Sequence, residues 1–64
     1  MDWFDIGYSE GLNGVARGAP KGSMSIRDSW RLGNEAGALD RALIRDGKEP
    51  VGYEAAKKKA EHFP

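Results

Sequence analysis

The sequence predicts an all-α fold, a small helical hairpin followed by a short C-terminal helix, and three observations carry that expectation. Apolar residues recur at spacings of three and four along two separate stretches. A segment rich in glycine, proline and serine divides them. Nowhere do β-branched or aromatic residues alternate as they do in a half-buried strand. At 64 residues the chain reads as one small helical domain, 1–64, of a size that buries only about 60% of its unfolded surface. Stability is therefore marginal, and association with a partner or a second copy gains weight.

The first helix is expected over about 3–17. Asp2 offers an N-cap, and Trp3, Phe4, Tyr8, Gly11, Leu12 and Val15 follow with helical periodicity. The stretch GAPKGSMS, residues 18–25, has loop chemistry; if Gly14, Gly18 and Gly22 all belong to that loop, the first helix ends earlier. Ser25 is the expected N-cap of a second helix over about 26–46, ended by Asp46-Gly47. This helix has two apolar faces. Leu32, Ala36, Leu39 and Leu43 form one, and Ile26, Trp30, Gly33, Gly37 and Ile44 the other, turned by about 100°. One neighbouring helix covers only one of them, so the second face needs either a third helix or another copy of the chain. Pro50 and the residues after it predict a third helix over about 50–62, thin in apolar content.

Glycines are the dominant motif. GYSEGLNG at 7–14 is echoed by SWRLGNEAG at 29–37, and VGYEAA at 51–56 is a fainter third copy. A glycine inside a helix costs roughly 1 kcal/mol relative to alanine, so their spacing requires a compensating contact. Gly7 with Gly11, Gly14 with Gly18, and Gly33 with Gly37 lie four apart, each pair a notch on one helix face. The expected hairpin packing sets the Tyr8 and Trp30 rings against notches built from Gly11, Gly14, Gly33 and Gly37; the alternative keeps those faces for a partner.

Charge balances overall, with ten basic and ten acidic residues, but not locally. Asp2, Asp5 and Glu10 make residues 1–14 acidic, whereas Arg17, Lys21, Arg27 and Arg31 against Asp28 make 15–31 basic. The candidate RNA- or partner-binding residues are Arg17, Lys21, Arg27, Trp30 and Arg31: arginines beside an aromatic suit RNA backbone contact with base stacking. The competing reading is a solvated face, with Arg27 or Arg31 paired to the acidic first helix. No cysteine is present, no apolar run approaches the roughly 20 residues of a membrane span, and the acidic start is unlike a signal peptide. A cytoplasmic protein without membrane attachment is expected. His62 is the only histidine and stands at the chain end, the carboxylates lack metal-ligand spacing, and GVARGAPKGS lacks the order of a phosphate loop. No enzymatic activity, cofactor or metal is expected.

Gly7, Tyr8, Gly11 and Gly14, then Pro20, then Arg27, Trp30 and Gly33 resemble the ribosome modulation factor family, whose short members carry G-Y-x-x-G-x-x-G, a proline-containing connection and R-x-x-W-x-x-G. The likeness spans residues 7–37. It implies a two-helix protein that binds ribosomal RNA of the small subunit and promotes inactive ribosome dimers. This chain departs from that family in its neutral charge, in Asn34 where a tryptophan is common, and in about twenty further residues. Two partner classes follow as expectations: the ribosome and its RNA, or a host protein held through helical surfaces, as by a small inhibitor of phage or other mobile-element origin. A homodimer through Leu32, Leu39 and Leu43 is expected from the unpaired leucine face.

Overall fold

A computed structural model describes residues 2–61, and these form three helices: α1 (Trp3–Asn13), α2 (Met24–Arg45) and α3 (Tyr53–Glu61). The all-α class, the pairing of the first two helices and the short third one stand as the sequence predicts. Among the described residues there is no strand.

Asp2 caps α1, its carboxylate accepting the Phe4 N–H at 2.9 Å. The helix ends at Asn13, four residues short of the expected boundary, because Gly14 turns left-handed at φ 71°. The Val15 N–H then donates to the Glu10 carbonyl at 2.9 Å and the Gly14 N–H to Gly11 at 3.3 Å, the crossed pair of a Schellman cap. Gly14 is thus a helix terminator rather than a packing notch. At α2, Ser23 rather than Ser25 is the cap, accepting from the Ile26 N–H at 3.3 Å, so the helix begins at Met24. Its far end repeats the Schellman pattern: Gly47 has φ 76°, and the N–H groups of Gly47 and Lys48 donate to Ile44 and Leu43 at 3.0 and 2.8 Å. The third helix starts at Tyr53, three residues after Pro50; its expected end at residue 62 lies outside the described residues, as does His62.

The α1–α2 contact is made by backbone. A β-carbon on Gly7 would fall 2.9 Å from the Asn34 nitrogen, one on Gly11 2.8 Å from that of Ala38, one on Gly33 2.9 Å from that of Tyr8, and one on Gly37 2.7 Å from that of Leu12. Each would come closer still to a carbonyl oxygen, of Trp30, Asn34, Phe4 and Tyr8 respectively. Glycine Cα–H groups facing carbonyls in this way are weak donors worth about 0.5–1 kcal/mol each. The expectation that Tyr8 and Trp30 rings fill the notches is corrected here: the facing helix backbone fills them, and the rings flank the seam.

Those contacts advance together along both chains, Gly7 opposite 30–34 and Gly11 opposite 34–38, so α1 and α2 run in the same sense. A tight turn cannot make that connection. Residues 14–23 return along α1, which as 11 residues is about 16 Å long, and ten extended residues reach up to roughly 33 Å. The third helix then packs its first residue back on α1, the Tyr53 ring standing 6.1 Å from Phe4 and 5.6 Å, edge on, from Tyr8. Phe4, Tyr8 and Trp30 are the buried large side chains.

Substituting Gly33→Ala or Gly7→Ala is expected to lower stability by about 3 kcal/mol or more, at the upper end of overpacking effects because the obstruction is backbone. Urea denaturation followed by circular dichroism measures it, with exposed Glu35→Ala as the control expected to change little.

Candidate binding surface

Beside the glycine seam lies one charged group with no exposure at all, the carboxylate of Asp40. It accepts from the Tyr8 hydroxyl at 2.5 Å, from the Val51 N–H at 2.8 Å and from the Gly52 N–H at 3.0 Å. One side chain of α2 thereby holds both α1 and the segment that launches α3. Burial pushes the Asp40 carboxyl up, but the hydrogen bonds from Tyr8, Gly52 and Val51 outweigh it and hold the group below its ordinary value. Burial, then the bond to Asp40, push the Tyr8 hydroxyl up to about 12.

The acidic N-terminal segment is also paired within the chain, at its surface. Lys57 of α3 places its Nζ 2.5 Å from Asp2, 3.3 Å from Asp5 and 3.0 Å from the Tyr53 hydroxyl, which itself donates to Asp5. The bond to Lys57 lowers the Asp2 carboxyl, and the bonds to Asp2 and Tyr53 raise the Lys57 ammonium. Glu10 accepts the Trp30 indole N–H at 2.9 Å and lies 3.5 Å from the Arg17 guanidinium. All three acids of residues 1–14 therefore have partners within the chain.

The five expected binding residues do not form one patch. Arg17 turns to Glu10 of α1, whereas neither Arg27 nor Arg31, the two arginines expected to pair with the acidic first helix, forms an ion pair with it among the described residues. Arg27 and Arg31 line a shallow groove at the start of α2 with Ala19, Met24 and Asp28; Arg31 lies 3.8 Å from Asp28. Trp30 floors that groove but is only 8% exposed, and its indole nitrogen is taken by Glu10. The stacking role expected of Trp30 is therefore corrected: the ring is core. Lys21 is exposed on the returning loop. What faces solvent here is Lys21, Arg27 and Arg31 with the single acid Asp28 and with Met24, 78% exposed.

A second concave surface lies between α2 and α3. Phe4, Leu32, Ala36, Leu39, Val51 and Ala60 line a cleft of about 270 Å³, with Glu35 on the α2 wall and Lys59 on the α3 wall. The third helix thus shields part of the expected leucine face: Leu32, in the cleft, is half-buried, while Leu39 remains 54% exposed at the lip; Leu43, also half-buried, lies outside the cleft. Among the described residues no group of three or more histidine or acidic side chains is placed to hold a metal ion, and no helix is long and apolar enough to cross a membrane.

Sequence reasoning missed Asp40, Tyr53, Lys57 and Arg41. Arg41 donates to the Leu12 carbonyl at the end of α1 and rests against Gly14. Asp40 had one local signal, an acid one residue from Leu39 and four after Ala36, yet nothing in the periodicity distinguishes a buried acid from a solvated one. Neither a protein-family model, nor a curated protein, nor a solved structure matches the chain.

Asp40 is lowered in the folded state, so its contribution is present above the unfolded value of about 3.9 and lost as pH falls through the folded one. Urea midpoints are expected to hold from about pH 5 to 8 and to fall below about pH 4, with Asp2 acting in the same sense. Tyr8, being raised, gives the opposite limb, its contribution complete below about pH 10 and lost as pH climbs through about 12. Asp40→Asn is expected to flatten the acid limb and to cost about 2 kcal/mol at pH 7, because at least one buried donor loses its acceptor. Lys57→Ala is expected to accelerate amide hydrogen exchange across residues 53–61 while the α1–α2 seam keeps its protection.

Proposed function

We propose that the protein is a small non-enzymatic regulator of translation in the cytoplasm, binding the ribosome through phosphate contacts from Lys21, Arg27 and Arg31 to ribosomal RNA. The observation that carries this reading is the pairing of Asp2, Asp5 and Glu10 with other groups of the chain. A neutral chain offers little to a polyanion, but here Asp2, Asp5 and Glu10 are each paired with a base or donor of the chain, and the edge at the start of α2 sets Lys21, Arg27 and Arg31 against the single acid Asp28. The resemblance to the ribosome modulation factor family supports the same reading, since Gly7, Gly11 and Gly33, three of its glycine positions, form the seam and Tyr8 sits beside it. With Trp30 buried, recognition follows the backbone and the shape of the RNA rather than a stacked base.

Self-association through the leucine face belongs to this reading. A pair of chains carries two basic edges and gains avidity on one particle. A protein partner in place of RNA, as an inhibitor of a host protein would have, is favoured by the apolar cleft between α2 and α3.

Cosedimentation with ribosomes tests the proposal. Three phosphate contacts give a slope of log K against log salt of about −2, and the joint variant Arg27→Ala, Arg31→Ala is expected to weaken binding at least about tenfold with unchanged helicity. A nuclease-resistant, stoichiometric protein complex, with no chain sedimenting with ribosomes, overturns the RNA reading in favour of the protein partner.

A further inference from the structure

The cleft between α2 and α3 is unusual for the width left open beneath a helix that is firmly tied at both polar attachments. Val51 and Gly52 are fixed by Asp40, and Lys57 by Asp2 and Asp5, yet no residue of α3 is buried. The space is lined by apolar groups, and Leu39 and Val51 stand at its lip 54% and 50% exposed. The third helix stops short of closing the leucine face, and the polar anchors hold it there.

We propose that this cleft is the seat of a second copy of the chain, docked about a two-fold axis so that Leu39 of each copy enters the cleft of the other. The inference rests on the self-association reading above and gives it a surface. One observation selects a second copy. The walls carry one acid and one base, Glu35 and Lys59, with no ion pair between them among the described residues. A two-fold interface sets residue i against j and j against i, so Glu35 on one copy meets Lys59 on the other twice over. A phosphate-rich partner would find an acid opposite its one base.

Sedimentation velocity of the full chain, freed of nucleic acid, tests this from about 5 to 500 μM, where a homodimer of moderate affinity changes its population. The expected result is a concentration-dependent passage from monomer to dimer. Leu39→Glu is expected to weaken the dimer at least about tenfold while its helicity by circular dichroism stays as in the parent. Glu35→Lys is expected to weaken it as well, and Glu35→Lys with Lys59→Glu to restore it to within about threefold, which a merely structural loss would not do. A monomer throughout the range, or a dimer indifferent to Leu39→Glu, overturns the proposal. The outcomes separate from those for RNA: a monomer that still sediments with ribosomes overturns only the dimer, and a dimer that never does overturns only the RNA reading.

Discussion

Everything in this small fold depends on the absence of four side chains. Gly7 and Gly11 on α1 and Gly33 and Gly37 on α2 bring the two helix backbones into direct contact, at a separation no residue with a β-carbon permits. The intrinsic cost is about 1 kcal/mol per glycine, or about 4 kcal/mol for the set, large for a domain of this size. The close seam offsets it with dispersion contacts along two backbones and with Cα–H groups aimed at carbonyls. It also fixes register, because the notches repeat every four residues and engage only when each meets the matching turn of the other helix.

A seam made of backbone leaves little room for a side-chain core, and the consequence is a core unlike that of a larger protein. Three aromatic rings, Phe4, Tyr8 and Trp30, supply the large buried surfaces, and a buried carboxylate joins them. A lone buried charge would be strongly destabilising. Asp40 is tolerated because three donors from two parts of the chain, Tyr8 of α1 and the adjacent Val51 and Gly52, satisfy it, and those same bonds tie α3 to a pair of helices that otherwise hold it through Tyr53 and Lys57. Specificity of the α3 position therefore lies in polar geometry more than in apolar area, which is consistent with the open cleft beneath it.

The periodic features were legible in the sequence and the directional ones were not. Spacings of three and four place Trp30, Gly33 and Gly37 on one face of α2 and Leu32, Ala36 and Leu39 on another, and both faces are found where the spacing puts them. Caps were less certain, because Ser23 and Ser25 offer the same oxygen two residues apart and the choice depends on how the preceding loop arrives. The parallel sense of α1 and α2 escaped a local reading, since a loop of ten residues serves a return crossing as well as a wide turn. For the site, the basic residues at the start of α2 were legible as charge. That Trp30 faces inward to Glu10, and Arg17 with it, depends on a pairing between segments twenty residues apart in one case and seven in the other.

Net charge hides the property that matters most for this chain's partners. Within its zero sum two groups stand apart: Asp2, Asp5 and Glu10, which pair with other groups of the chain, and Lys21, Arg27 and Arg31 at the start of α2, whose side chains reach solvent. Structural electrostatics and surface electrostatics are thus carried by different residues, and a substitution can alter one with little effect on the other. Changing Arg27 removes surface potential and disturbs no helix contact, whereas changing Asp5 or Glu10 would loosen α3 or Trp30 and deprive Lys57 or Arg17 of an acid at the same time. The acidic start that sets this chain apart from a basic ribosome-binding family is, on this account, the means by which a third helix and a buried tryptophan are held in place. The same seam can then carry either a fully basic surface or a neutral one, because the glycines that form it bear no charge of their own.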